Sequence, residues 1–413
     1  MSEETNTGFK EPQIIAITSG GGRGGTWKTT TSSSIAEFYG RGEGLDTLYA
    51  EADFGTPCAH ERYEKWFEDS HKQHNLLRWF ERCRIYDIAG ASLKRKLKKQ
   101  LKNASEALLE QTISEMLEEK QVKKSNIGDF VIPTINPFVF GLCGINGQID
   151  NLVPGPKEKE IENLYLQLSG LKKSAQNPKG YNRIIIDTAA GDDFFIRKAL
   201  DYADKNVFLI RIDSGIEGPV DKIYSMINEK FKRVMNNEAV YDIITKENIS
   251  VQNKTFIQLF SDIVWKAKDI NGHIANYEKK ESENRKNEIL DIEKDVYRNY
   301  GRHKSELLNL ERIAPRMEKL KKVYTPVVAV QPLYIDKAKD IYDVFREELN
   351  RLGIEALSPG FKKVTDGGAL YYEPKVTQSD LKQLPFLDVY RPHSMTSPVL
   401  STQLENLARF IEK

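Results

Sequence analysis

The chain has 413 residues, 39% apolar and 29% charged, with a net charge of +1. Such a composition supports a sizeable core and long solvated helices, and it removes any global electrostatic argument for nucleic acid or an anionic lipid surface. Three cysteines without a CxxC pair and six scattered histidines argue against a disulfide framework and against a transition-metal site, and no apolar run approaches the roughly 20 residues that span a bilayer.

Met1–Pro12 is polar and does not read as a signal peptide, so the expectation is a soluble, reduced, cytoplasmic protein. Ile14–Ile17 is short, rich in β-branched residues and runs into Gly20-Gly21-Gly22, which predicts a buried parallel strand entering a glycine loop. A helix is expected over Thr29–Tyr39, stopped near Gly40, Gly42 and Gly44. A second strand, Thr47–Ala52, ends at Asp53. Residues 57–135 change character, with Trp66, Trp79 and Phe80, a basic stretch over Lys94–Lys102 and a Glu-rich run, and read as a helical insertion. Asp129–Ile135 and Phe138–Leu142 are short apolar runs, Leu152–Gly155 reads as a strand end and Glu158–Leu171 as a helix.

Arg183–Asp187 is the cleanest strand, followed by a turn at Thr188–Gly191 and a helix to Tyr202. Val207–Ile212 reads as a strand and Pro219–Val234 as a helix. Residues 236–322 read as a second helical insertion, and Tyr277–Lys322 within it is dense in Lys, Glu, Arg and Asn and reads as a protruding hairpin. Pro326–Val330 as strand, Ile335–Leu352 as helix, Ala369–Tyr372 as strand and Thr402–Ile411 as helix complete the chain. Strand alternating with helix predicts an α/β fold with a doubly wound, mostly parallel sheet. The expected division is a core in three parts, 1–56, 136–235 and 323–413, interrupted by helical insertions at 57–135 and 236–322.

Gly20 to Thr30 lies between a strand and a helix. Glycines let successive backbone N–H groups face a phosphate, and the helix N-terminus adds partial positive charge. Gly22, Gly24, Gly25, Thr26, Trp27, Lys28, Thr29 and Thr30 are therefore candidate nucleotide contacts. Lys28 is placed to reach phosphate oxygens and Thr29 to offer a hydroxyl to Mg²⁺. Asp187, at the end of a strand, is a candidate magnesium carboxylate, and Asp53, after Glu51-Ala52, a candidate metal and water-orienting carboxylate. The structural counterparts of these readings are a flexible glycine linker, a strand-end turn at Asp53 and a cap at Asp187. Glu51 reads equally as a switch carboxylate or as a satisfied polar group at a strand end.

Through these motifs the sequence resembles the MinD/ParA family of deviant Walker A P-loop ATPases, nearest to the branch of MinD and the flagellar-number regulators FlhG/FleN. Thr18–Thr29 resembles the family's KGGxGKT loop, Glu51–Gly55 its DADxG switch and Ile186–Gly191 its Walker B and second switch. Gln331-Pro332 and Tyr372-Glu373-Pro374 resemble the segments on the two sides of the base, and Pro392–Ser394 with Ser397-Pro398 the closing segment. The likeness covers about 1–56, 150–235 and 325–413. It implies a P-loop NTPase fold of the SIMIBI type, ATP or ADP with Mg²⁺ as cofactors, an ATP-dependent homodimer and recruitment to a membrane or nucleoid surface. Arg23 stands where the family has its signature lysine, which implies that Arg23 completes the partner subunit's site. Trp27 stands where the family has a glycine, which leaves slow or absent turnover open.

The functional readings are thus an ATP-hydrolysing switch that positions or partitions an assembly, a non-hydrolysing scaffold acting through its insertions, or a P-loop enzyme that phosphorylates a carboxylate. Lys94–Lys102 carries Leu93, Leu97 and Leu101 four residues apart, a pattern of a solvated face over a leucine seam more than of a lipid- or DNA-binding helix. The last helix, with Leu404, Leu407, Ala408 and Ile411 on one face, is expected to pack on the core and not on a membrane.

Overall fold

The structure is a computed structural model describing residues 11–19, 27–53, 59–67, 74–100, 105–119, 122, 124–144, 158–190, 194–211, 237–252, 254–311, 324–330, 335–351, 357, 359–363, 365–392 and 397–412. The expected strand end at Leu152–Gly155 and helix at Pro219–Val234 lie outside these residues.

The strands are β1 (Gln13–Ser19), β2 (Thr47–Ala52), β3 (Ile132–Pro133), β4 (Val139–Leu142), β5 (Arg183–Ala190), β6 (Lys205–Arg211), β7 (Tyr324–Val330) and β8 (Ala369–Tyr371). They form one eight-stranded sheet in the order β3-β4-β2-β5-β1-β6-β7-β8. Every pairing is parallel except β3 with β4. Both faces of the central strands are buried, as near-continuous apolar runs predict. Alternation divides them between two cores. Ile14, Ala16, Leu48, Ala50, Ile184, Ile186, Phe208 and Ile210 lie in one cluster with Leu164, Leu168 and Leu200 from the helices Glu158–Gly170 and Phe194–Tyr202. Ile15, Ile17, Tyr49, Ile185, Val207 and Leu209 lie in the other, under the helices Lys28–Glu37 and Val399–Ile411. This is the doubly wound α/β architecture.

The first helix spans Lys28–Glu37 and continues as a π turn over Phe38–Gly42, so the chain passes Gly40 before leaving the helical path. A Cβ on Gly40 would lie 2.3 Å from Val139 Cγ2, so this turn sits against β4 with no room for a side chain. From Thr30 to Glu37 every residue of the helix is buried. Thr-Thr-Thr-Ser-Ser-Ser supplies small side chains for such a position. The hydroxyls of Ser32 and Ser33 turn back onto the carbonyls of Lys28 and Thr29, at 2.8 and 2.6 Å, so their burial costs no unmade hydrogen bond.

The helix ends on a buried polar node. Glu37 Oε1 accepts from Trp66 Nε1 at 2.5 Å, and its Oε2 accepts from Asn136 Nδ2 at 2.9 Å. One carboxylate thus joins the first helix, the segment after β2 and the approach to β4. Burial foremost, with Asp388 adding to it, holds the Glu37 carboxyl above the usual carboxylate range.

In the 57–135 stretch, the helices Leu76–Gln100 and Glu106–Glu119 pair through Leu93, Leu97, Leu109, Ile113 and Leu117. The leucine seam beside the basic stretch is therefore spent on this partner helix. Lys94 and Lys98 meet Glu106, the latter at 3.5 Å. Leu101 and Lys102 lie outside the described residues. Trp66 and Trp79 are fully buried, in the two sheet cores.

Within Tyr277–Lys322, where a protruding hairpin was expected, Tyr300, Leu307 and Leu310 lie in the apolar cluster of the sheet. Thr255 caps the helix Phe256–Ser282 in a capping box with Gln258. Ile263, Ala267, Ile270 and Ile274 on this helix, and Tyr300 and Leu307 beyond it, share the apolar cluster of the sheet. Asp291–Tyr300 packs on the same helix, with Tyr277 and Tyr297 stacked at 4.3 Å and Lys280 Nζ held by both Glu293 oxygens at 3.0 and 3.1 Å. Among the described residues of this stretch the charged side chains other than Glu293 are exposed or half-buried, which is why composition alone suggested a solvated hairpin. In the last helix, Leu404, Leu407, Ala408 and Ile411 are all buried in the second core. No helix among the described residues is long and apolar enough to cross a membrane.

Candidate functional site

The carboxyl ends of β2, β5 and β1 lie side by side, in that order. In the register of these parallel strands Ile17 faces Asp187, and Glu51 faces Asp187 from the other side. Tyr49, Glu51 and Asp187 thus share the sheet face that carries Ile15, Ile17 and Ile185, the face covered by the helix Lys28–Glu37. In open α/β sheets ligands bind at such strand ends.

Asp187 is 1% exposed. Its Oδ2 accepts from the Tyr49 hydroxyl at 2.8 Å, while its Oδ1 has no hydrogen-bond partner among the described residues. Burial pushes the carboxyl from 3.8 up to about 6, against the opposing pull of the Lys28 charge and of the Tyr49 and Thr29 hydroxyls; Glu51 adds a smaller push. Desolvation therefore outweighs a nearby ammonium here. Burial likewise holds the Tyr49 hydroxyl well above its ordinary range, with Asp187 adding to it. Sequence reading missed Tyr49. Its signal was positional, since it lies two residues before Glu51 and period two puts both on one face.

Lys28 and Thr29 open the helix and are half-buried. Trp27, which precedes them, adopts φ 59°, ψ 23°, the left-handed region. Its carbonyl accepts the first helical hydrogen bond, from Thr31 N at 2.8 Å, and its side chain makes no capping bond. The indole stacks on Tyr372 with centroids 5.5 Å apart and planes 30° apart, and it packs on the second core. The indole is thus accommodated by turning away toward Tyr372, the residue after β8, while the backbone adopts the conformation that a glycine takes without cost.

Glu51 is 1% exposed and accepts from Ala59 N at 2.6 Å and Gly144 N at 2.9 Å. Asp53, two residues further, is 9% exposed at the end of β2. Among the expected base-side residues, Glu373 Oε1 accepts from the backbone N–H of Lys375 at 3.0 Å, and Pro374 leads into the helix Lys375–Lys382. The structure thus brings Lys28, Thr29 and Asp187 together and places Asp53 at the neighbouring strand end. Gly22, Arg23, Gly24, Gly25, Thr26, Gln331 and Pro332 lie outside the described residues, as does His393-Ser394 of the closing segment.

No family profile matches the chain, and no curated protein matches it. Several solved structures are similar over most of their length. The cell division ATPase MinD of Pyrococcus furiosus is 12% identical, with 97% of this chain and 98% of that one covered and a TM-score of 0.42. A ParA family ATPase from Chlorobium tepidum is 10% identical, with 96% and 99% covered and a TM-score of 0.42. A plasmid partition protein from Borrelia burgdorferi, bound to AMPPNP, is 11% identical, with 97% and 98% covered and a TM-score of 0.43. At these values the functional reading stands on the motifs and geometry of this chain.

Proposed function

We propose that this chain is a MinD/ParA-like nucleotide switch that binds ATP with Mg²⁺ at the carboxyl ends of β1, β2 and β5. The observation that carries the reading is the placement of Lys28 and Thr29, at a helix N-terminus, beside the buried Asp187 of the adjoining parallel strand. A lysine and a hydroxyl on an N-terminal helical turn suit phosphate oxygens. The donor set also fits a hard cation. Asp187 Oδ1 is buried and without a partner among the described residues, and the Thr29 hydroxyl is beside it. A magnesium ion bound there would neutralise charge developing on the phosphates.

In this reading Lys28 binds phosphate oxygens and Thr29 and Asp187 hold the cation's shell. Asp53 joins that shell and orients the attacking water. Gly22, Gly24, Gly25, Thr26, Trp27 and Thr30 line the phosphates, while Gln331, Pro332, Glu373 and Pro374 flank the base. Two subunits close over two ATP molecules, Arg23 of each reaching the phosphates of the other. The closed dimer presents a surface to a protein partner, and hydrolysis releases it, so that a cellular assembly is positioned or partitioned. The left-handed Trp27 and its stack on Tyr372 favour a second reading, in which nucleotide is bound but not turned over and the helical insertions act as a protein-binding scaffold.

ATP binding and turnover of wild type, Lys28→Ala and Asp53→Ala, with oligomeric state followed in parallel, separate the two. The switch predicts an ATP-driven dimer, binding lost in Lys28→Ala, and turnover lowered roughly a hundredfold in Asp53→Ala with binding kept. A monomer at saturating ATP removes the switch. Binding without turnover leaves the scaffold.

A further inference from the structure

We infer that Glu51 is a positioning residue: its buried carboxylate clamps the chain beyond Asp53 to the chain beyond β4, and this holds Asp53 in line with the bound phosphates. The part concerning Asp53 rests on the ATP-switch reading above. The clamp itself does not.

Three observations carry it. First, Glu51 lies at the penultimate position of β2, with its side chain on the same face as Asp187. A carboxylate there would be expected to face the ligand. Instead it accepts from two backbone amides of different segments, Ala59 N at 2.6 Å and Gly144 N at 2.9 Å. Second, these amides sit just where two connections meet the site. Ala59 opens the short helix Ala59–Arg62, and its bond to Glu51 sets the start of that helix beside the end of β2. Gly144 follows β4, the strand beside β2. Third, the packing reserves the place of this carboxylate. A Cβ on Gly144 would lie 2.9 Å from Glu51 Cγ and 3.0 Å from Cδ and Oε2, so a side chain at residue 144 would displace the Glu51 side chain from its place.

The chemistry of the two bonds makes Glu51 specific. Both partners are donors, so an acceptor-only carboxylate serves both. Glutamine keeps the shape but brings one acceptor oxygen and one donor nitrogen, which leaves one amide facing a donor. Aspartate is one methylene short. Glu51 and Ala59 flank Asp53 in sequence and are tied to each other, and a misplacement of about 1 Å at a water-orienting group costs on the order of a hundredfold in rate.

The experiment compares the full chain as wild type, Glu51→Gln and Gly144→Ala by amide hydrogen exchange and by ATP turnover. Exchange should rise about tenfold or more at one of the two amides in Glu51→Gln, and at both Ala59 and Gly144 in Gly144→Ala. Exchange in β6 and in the helix Val399–Ile411 should stay unchanged, which shows the fold intact. The kcat should fall about tenfold to a hundredfold while KM stays within about twofold. In an Asp53→Ala background, Glu51→Gln should lower turnover no further, because the group it positions is gone. Unchanged exchange at the two amides overturns the clamp. Increased exchange with kcat intact, or with additive losses in the double variant, overturns the positioning of Asp53. A wild type without turnover sinks the ATPase reading and the positioning role together, and exchange then decides the clamp alone.

Discussion

Trp27 offers a test in which an everyday preference changes sign. In ordinary helical or extended backbone, glycine is less stable than alanine by about 0.5–1 kcal/mol, because the unfolded glycine has more freedom to lose. At φ 59°, however, a Cβ meets the neighbouring carbonyl, a cost of about 1–2 kcal/mol for any residue but glycine. Trp27→Gly and Trp27→Ala both lose the stack on Tyr372, worth about 0.5–1.5 kcal/mol beyond area burial. That loss cancels between them, and what remains is the backbone. The two terms leave Trp27→Gly more stable than Trp27→Ala by about 1 kcal/mol or a little less. An unstrained backbone would give the opposite order by a similar amount, so the outcomes differ by about 1–2 kcal/mol. Urea unfolding followed by far-ultraviolet circular dichroism suits the comparison, since it does not depend on the indole removed. An alanine variant as stable as the glycine variant, or more so, would refute the left-handed assignment and with it the account of how tryptophan is tolerated before Lys28.

Two further outcomes follow from buried carboxylates. Asp187 ionises at about 6 in the folded chain against 3.8 ordinarily, a difference worth about 3 kcal/mol. Its folded value is the higher one, so its contribution is intact below pH 3.8 and is lost as pH rises through about 6. Without nucleotide or magnesium, Asp187→Asn should therefore match wild type near pH 3.8 and exceed it by up to about 3 kcal/mol at pH 7. A denaturant midpoint for the variant at or below wild type at pH 7 would count against the desolvation argument. Glu37→Leu leaves Trp66 Nε1 and Asn136 Nδ2 buried without their acceptor. It should destabilise the chain by about 2–6 kcal/mol, at about 1–3 kcal/mol per orphaned donor, and thermal unfolding reads this directly; a shift of under about 1 kcal/mol would mean that water replaces the carboxylate.

Much of the fold was legible because it is written locally. Ile14–Ile17 and Arg183–Asp187 are short β-branched runs that only a strand buried on both faces accommodates, and both are strands of the central sheet. The hydroxyl-rich run after Lys28 announced a helix start, and the structure begins the helix at Lys28 itself. The leucine spacing at 93 and 97 announced an apolar seam, and the seam is there. These features depend on neighbours within a few residues, and so a linear reading reaches them. Burial of the 256–310 stretch was not legible. A helix that is charged on one face and apolar on the other has a high charge density whether it protrudes or lies on a core, and composition averages over the two faces.

The candidate site divides in the same way. The sequence by itself determined that a lysine and hydroxyls follow a glycine-rich turn, and that two strands carry carboxylates in their carboxyl-terminal halves, although β5 continues through Thr188 to Ala190 where a turn was expected. Tertiary structure alone decided the strand order that sets β5 between β1 and β2. It also decided the bond from Tyr49 to Asp187 across 138 residues, the indole of Trp27 on Tyr372, and the two amides that occupy Glu51. The reason is physical. The state of a carboxylate depends on how much water and which donors surround it, and those come from segments far away in the chain. A sequence can name the acid, and only packing decides whether it faces a ligand, a tyrosine or its own backbone.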